Sequence, residues 1–198
     1  MRKFLSLPQE KQDRIVYAAM NLFGEVGYKK AYISEIAEAA GISKALVFHY
    51  FKNKKGLYSY LVYYTGKIVM TEAQESRDTL GKDFFDRVLV TVRFRLTIIN
   101  RYPAMHAFIE SVFKEDDPEV ASDVERLLAI AKDMHAQVVP DSTDLLKLKN
   151  GVNPAILTGL VEKYSEGAVT SRDVSLSTDE IMRSVEGCME MLKMNLYK

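Results

Sequence analysis

From Ile15 onward the apolar residues of this chain return every three or four positions, and that spacing restricts the fold more than any other feature. Ile15, Ala18, Ala19, Leu22 and Phe23 fall at i, i+3, i+4, i+7 and i+8, one stripe of a helix that Gly24 or Gly27 would end. The same period predicts helices over about 33–40, 43–50, 56–76, 82–100, 103–114, 118–138, 154–167 and 178–197. Pro103, Pro118 and Pro154 stand at or near first-turn positions, where a missing N–H costs nothing. Asp116-Asp117 and Ser177-Thr178-Asp179-Glu180 are start signals for the helices that follow them. No segment sustains period-two alternation between turn signals, and no repeat or low-complexity tract interrupts the pattern. The expectation is an all-α chain of about nine helices.

A chain of 198 residues can bury a substantial core. It has no run near the roughly 20 apolar residues that a membrane span needs. Met1–Leu7 is too short an apolar segment for a signal peptide, with Pro8 and Gln9 following at once. A cytoplasmic, membrane-free protein is the simplest reading. The single cysteine, Cys188, excludes an intramolecular disulfide framework and any multi-cysteine metal site. The net charge of zero conceals an asymmetry: up to Tyr58 there are ten Lys/Arg against five Asp/Glu, and from Ser59 onward seventeen against twenty-two. A basic head on an acidic body points to a head that meets a polyanion. Chance scatter of surface charge is the competing account.

The stretch Ser34-Glu-Ile-Ala-Glu-Ala-Ala-Gly-Ile-Ser-Lys-Ala-Leu-Val-Phe-His-Tyr50 carries the most chemistry. Two short helices crossing steeply need a small residue at the crossing, here Ala37, and a residue tolerant of positive φ in the turn, here Gly41. Ile36, Ala40, Ile42, Val47 and Phe51 then point inward against Leu22 and Phe23. Ser43 is placed to cap the second helix. Lys44, Ala45, Leu46 and Phe48 are left facing outward. Exposed Leu and Phe suit a major groove, where apolar groups meet thymine methyls. His49 and Tyr50 follow on the same helix, and Lys52-Asn53-Lys54-Lys55 reads as a turn; a surface histidine, a core-edge tyrosine and a solvated basic turn are the plain readings of these residues.

Residues Gln9 to Tyr58 resemble the DNA-binding domain of the TetR family of bacterial regulators. The matching pieces are Phe23-Gly24-Glu-Val-Gly-Tyr28, Ile36-Ala37-Glu-Ala-Ala-Gly41-Ile-Ser-Lys44, Phe48-His-Tyr-Phe51 and Lys54-Lys55-Gly-Leu57-Tyr58. The resemblance implies that Lys44, Ala45, Leu46 and Phe48 face base edges. It implies that His49, Tyr50 and Lys54 hold phosphates, and that Tyr32 and Ser34 touch the backbone. Tyr32 stands where a Thr or Ser cap is common, Leu46 replaces a frequent Thr or Ser, and Phe48 a common Tyr. Readout is therefore expected to lean on van der Waals contact, Lys44 and DNA shape more than on hydrogen bonds.

One recognition helix reads too few base pairs for useful specificity, so a homodimer on a palindromic site in double-stranded DNA is expected. The last two helices are the expected interface, with Ile156 and Leu160 on one and Ile181, Val185, Met189 and Leu192 on the other. Closing one subunit's core is the alternative use of those stripes. The resemblance implies the same four-helix dimer contact. It also implies a division into a helix-turn-helix domain over residues 1–55 and an effector-binding and dimerisation domain over 56–198.

The body between is rich in Tyr, Phe and Met, which suits an adaptable apolar pocket or an ordinary aromatic core. By resemblance it would enclose a small hydrophobic or aromatic effector, with Tyr63, Arg95, Tyr102, His106 and Phe113 as candidates. Arg95, at the edge of an apolar stripe, suits either an anionic ligand or an internal salt bridge. His106 and His135 lie on different helices without carboxylates at ligand spacing, so neither a metal nor a cofactor is expected. No phosphate loop, nucleophile elbow or zinc-protease motif is present, and nothing positive supports an enzyme. A helical module that binds protein instead of DNA is the rival reading. Repression, released by an effector, follows from the family's habits and from no residue here.

Overall fold

The computed structural model describes residues 2–77, 83–136, 138–170 and 176–198. Their backbone is helical, in the order α1 (Arg2–Leu5), α2 (Gln9–Lys30), α3 (Ile33–Ala39), α4 (Lys44–Phe51), α5 (Lys54–Arg77), α6 (Phe84–Arg101), α7 (Pro103–Val112), α8 (Ala121–Ala136), α9 (Ser142–Lys147), α10 (Pro154–Thr170) and α11 (Thr178–Leu196). The sole extended pairing among the described residues is an isolated antiparallel bridge between Leu148 and Tyr197. The all-α expectation holds. Two short helices, α1 and α9, were not expected, because four and six residues are too few to show a period. Lys82, expected to open the sixth helix, lies outside the described residues.

The chain divides into two compact units, Met1–Thr71 with Ile98–Ala131, and Glu72–Thr97 with Lys132–Lys198. In the first, α2 supplies the central stripe: Ile15, Ala19 and Phe23 are completely buried. Gly24 does not end α2. A Cβ there would lie 3.0 Å from the backbone of Ala107 and Phe108, so glycine lets α7 cross at close range. Ser111 Oγ seals the crossing by donating to the Phe23 carbonyl at 2.8 Å. The helical path breaks instead at Gly27 (φ 77°), which turns Tyr28 inward. Tyr28 N–H donates to Glu115 at 2.7 Å and its hydroxyl to Glu119 at 2.8 Å. Burial and the Glu119 carboxylate push the Tyr28 hydroxyl well above the usual phenol range, so it stays a donor. Phe23, Tyr28, Tyr58 and Phe108 form one ring cluster, with Tyr58 at 5.0–5.3 Å from the other three.

Phe4 explains α1. A single turn has no stability of its own, but Phe4 is fully buried against Phe51, at 4.8 Å between ring centres, and Tyr60, at 5.2 Å. Burying a Phe side chain stabilises by about 1.5–3 kcal/mol. Gln12 ties the turn down by donating to the carbonyls of Leu7 at 2.8 Å and Leu5 at 3.3 Å. Burial, with Tyr64 and Asp13 nearby, pushes the Tyr60 hydroxyl up to about 12.

The second unit is built around a carboxylate. Asp144, 1% exposed, accepts from Phe84 N–H, the Arg87 guanidinium, Asp141 N–H and the Tyr197 hydroxyl. Asp141 and Asp144 form a capping box at the start of α9. Lys193 bridges Asp83 at 2.6 Å and Asp86 at 3.3 Å. The expected start signal of α11 is realised as a second capping box, between Ser177 and Glu180. Buried Leu157, Val161, Val185 and Met189 lie on the inner faces of α10 and α11.

Candidate nucleic-acid interface

The turn between α3 and α4 is closed by its own backbone. Ile42 N–H donates to the Ala37 carbonyl and Gly41 N–H to that of Glu38, both at 2.9 Å, the double bond of a Schellman stop. Gly41 has φ 62°, a left-handed conformation that a side chain would strain. Ser43 follows in extended conformation and its Oγ accepts from Leu46 N–H at 3.3 Å, capping α4. The chain therefore enters α4 with a fixed phase.

That phase sorts the residues of α4. Val47, Tyr50 and Phe51 are buried at i, i+3 and i+4. Lys44, Ala45, Phe48 and His49 are exposed and Leu46 is half-buried. Phe48 is 39% exposed, with the Lys44 ammonium 5.9 Å from its ring centre. An apolar ring held open to solvent beside a cation is costly on a merely solvated surface and suited to a groove with apolar and anionic walls. Inward, Ile36, Ala37 and Ala40 are buried as expected, whereas Ile42 and Leu22 reach only half-burial. Tyr32 is the first residue before α3, 65% exposed and making no side-chain cap bond, and Ser34 is exposed one turn-step later.

Two expected phosphate groups sit differently. Tyr50 is 6% exposed, its ring packed between His49, at 5.7 Å, and Phe4, at 6.1 Å. The Lys54 ammonium donates to the carbonyls of Tyr28 at 2.8 Å, Lys29 at 3.3 Å and Ala31 at 3.3 Å, and lies 4.4 Å from the Tyr28 ring centre. An ammonium has three donors, and here all three close the C-terminal end of α2. Spacing alone placed Lys54 in a basic turn; the α2 carbonyls that engage it are more than twenty residues away in sequence.

The remaining expected sites scatter. Tyr63 and Phe113 are 60% and 41% exposed. Tyr102 opens α7 with the Arg101 guanidinium 5.3 Å from its ring, and His106 is half-buried one turn later. Arg95 is half-buried on α6 and makes no ion pair with another described residue. Two hydroxyls not proposed for the effector, Tyr58 Oη and Thr65 Oγ1, are buried on α5 without a hydrogen-bond partner among the described residues. No group of three or more metal-ligating side chains occurs among the described residues.

Of the expected dimer residues, Ile156 and Leu160 are 70% and 56% exposed on α10. On α11, Val185 and Met189 are 0% and 1% exposed, Ile181 and Leu192 half-buried. Val185 and Met189 are covered by the chain itself and present nothing to a second copy. The outward face of α11 carries Ser184, Gly187, Met191 and Met194 instead, the last two 55% and 81% exposed. Tyr164 Oη lies 3.1 Å from Ser184 Oγ and so sets the outward stripe of α10 beside that of α11.

The sequence pattern of the bacterial regulatory proteins of the tetR family matches residues 15–61. Over 63 residues the chain is 35% identical to the HTH-type transcriptional regulator BetI of Yersinia pestis (strain Pestoides F), covering 30% of this chain and 32% of that one. The chain thus aligns with about a third of the length of the curated relatives it matches. Its fold is similar to a TetR family transcriptional regulator from Chloroflexus aurantiacus J-10-FL, with a TM-score of 0.69 at 18% identity over 100% of this chain and 98% of the other. It is also similar to FadR of Bacillus subtilis in complex with stearoyl-CoA, with a TM-score of 0.62 at 14% identity over 90% and 96%. At such identities the likeness is one of fold.

Proposed function

We propose that this chain, whose residues 15–61 match the pattern of the tetR family of bacterial regulatory proteins, is a member of that family: a cytoplasmic, homodimeric transcriptional repressor that reads a palindromic operator and is released from it by a small hydrophobic effector. The observation that carries this reading is the outward face of α4, where Lys44, Ala45 and Phe48 project from a helix fixed in phase by the Gly41 turn and the Ser43 cap. In the major groove Lys44 would donate to a guanine edge while Phe48, Ala45 and the rim of Leu46 meet thymine methyls. Tyr32, Ser34, Ser43 and His49 stand around that face at positions suited to phosphate oxygens. Lys54, with its donors engaged on α2, is a positioning residue, and Tyr50 supports α4 from beneath.

The dimer contact would use Ile156, Leu160 and Tyr164 of α10 with Met191 and Met194 of α11. These are exposed apolar side chains flanked by Gly159, Gly167 and Gly187, around which a Cβ would meet open space. Small residues let two helix pairs approach closely. The effector reading rests on the hydroxyls of Tyr58 and Thr65, buried without a hydrogen-bond partner among the described residues, which the polar atoms of a largely apolar ligand would satisfy. The stearoyl-CoA held by the Bacillus FadR is a ligand of that general shape. No helix among the described residues is long and apolar enough to cross a membrane.

The decisive experiment exposes the full chain to a pool of random duplexes at two salt concentrations and sequences what is retained. A two-fold symmetric site, retained much less at the higher salt, is expected. Retention without sequence preference, or none, would instead favour a head that binds protein.

A further inference from the structure

The match to the regulator family begins at Ile15 and leaves α1 outside it, yet α1 is not loose. Phe4 is 0% exposed, and its ring makes contact with two residues of the recognition helix, Tyr50 at 6.1 Å and Phe51 at 4.8 Å. The ring of Tyr50 in turn touches His49, on the outward side of α4, at 5.7 Å. A continuous row of rings thus runs from the groove-facing surface to α1. Arg2 and Lys3, directly before Phe4, are both exposed. Their Cα atoms lie within about 8 Å of the Phe4 Cα by chain geometry. Neither forms an ion pair with a described residue, and Ser6 Oγ donates to the Lys3 carbonyl at 2.9 Å, which keeps the turn closed. Asp13 is engaged elsewhere, accepting from Gln9 Nε2 at 2.7 Å.

From this placement we infer that α1 is a second DNA-contacting element. Phe4 is a plug that locks the turn against the last turn of α4, and Arg2 and Lys3 bind phosphates flanking the groove that α4 enters. The inference rests on the DNA-binding reading above and deepens it. It assigns a backbone contact that carries no sequence information, which is what two cations beside, and not on, the recognition helix can do. The buried Phe4 ring alone would hold the turn on the head, so Arg2 and Lys3, exposed and without an ion pair among the described residues, are left for a partner.

The test uses the full chain and a duplex that it has been shown to select. Affinity is followed by fluorescence anisotropy across a salt series for the wild type, for Arg2→Gln with Lys3→Gln, and for Phe4→Ala. For the double variant the slope of log affinity against log salt should fall by about one per phosphate contact removed, so by about two per chain. The ranking of operator variants should not change. Phe4→Ala should lower the slope in the same direction, because the cations are then untethered; far-ultraviolet circular dichroism checks that the head remains folded. An unchanged slope in the double variant overturns the inference whatever Phe4→Ala does. A reordered ranking of operators would also overturn it, because the cations would then be reading bases. A wild-type chain that binds no duplex overturns the DNA-binding reading itself, a separate result visible before any variant is made.

Discussion

Two faces of this molecule leave large apolar side chains in solvent, and they differ in what surrounds them. On α4, Phe48 and Ala45 stand among Lys44 and His49; on α10 and α11, Ile156, Leu160, Met191 and Met194 stand among Ser184, Gly187 and Cys188. The first face is narrow and cationic, shaped for an anionic partner with apolar spots. The second is wider and lined with small residues, with Lys163 and Arg183 exposed beside it, and is the face that the proposed dimer would use. Exposed apolar area says that something binds; the rim says what. The two faces would also work together, because the dimer would set the distance between two recognition helices and so choose the operator's spacing.

The comparison is broken most severely by putting charge on the second face. Leu160→Glu combined with Met191→Glu places carboxylates at positions more than half exposed, so each protomer should fold normally. Analytical ultracentrifugation should show a monomer in place of a dimer, and operator affinity should fall by about three orders of magnitude or more, since one half-site carries too little binding energy. Val185→Glu, at a position 0% exposed, should unfold the chain instead. If the double variant stays dimeric, the face is ordinary surface and the contrast fails.

A second break concerns what holds the second unit together. Asp144→Ala would leave the Arg87 guanidinium, 13% exposed, without its 2.6 Å partner and remove an acceptor from Phe84 N–H. Removing one partner of a buried pair costs about 3–5 kcal/mol, readable as a lowered urea midpoint. The same network sets an acid limit. The Thr143 hydroxyl and the Asp144 N–H hold the Asp141 carboxyl down at about 2. Burial opposes ionisation of Asp83, but Lys193 and the Asp86 N–H outweigh it and lower its pKa. Both are carboxylates with depressed folded values. Their contribution is therefore present above the unfolded value, about 3.9, and is lost as pH falls through the folded one. Thermal unfolding between pH 4 and 2 should show that loss, and Asp141→Asn should flatten it.

The head was legible because its signals are local. Gly41, Ser43 and the i, i+3, i+4 burial of Val47, Tyr50 and Phe51 fix which way α4 faces, all within a dozen residues. The α11 stripe was equally visible, but its sense was not. An amphipathic pattern marks the apolar side without telling whether the chain's own atoms or another copy's cover it. On α11 apolar residues occupy both sides: Val185 and Met189, expected to serve a partner as well as the chain's own core, are buried within the chain, while Met191 and Met194 are the exposed ones. Short elements escaped for a different reason. Phe4 and Asp144 act through partners dozens of residues away, and four or six residues carry no period. Gly24 and Gly27 stood as equal candidates for the end of α2, because a glycine that ends a helix and one that admits a crossing helix look alike in sequence; Ala107 and Phe108 at 3.0 Å from Gly24 and the positive φ of Gly27 tell them apart.

The smallest effect tests the finest distinction, between cations that touch DNA and cations that hold the reader in place. Lys54 is basic, adjacent to α4 and half-buried, and the resemblance to the family places it with the phosphate contacts. Its ammonium instead closes three carbonyls at the end of α2, where positive charge also complements the helix dipole. Lys54→Met keeps the stem over the Tyr28 ring and removes the three donors. Stability should drop by about 1 kcal/mol, the usual net worth of such bonds. Affinity for all operators should weaken modestly as the α2–α3 junction loosens. The salt slope should stay at its wild-type value, because no phosphate contact has been lost. A slope lower by about one per chain would return Lys54 to the DNA, and would mean that its bonds to Tyr28, Lys29 and Ala31 are a resting arrangement exchanged for phosphate when the operator binds.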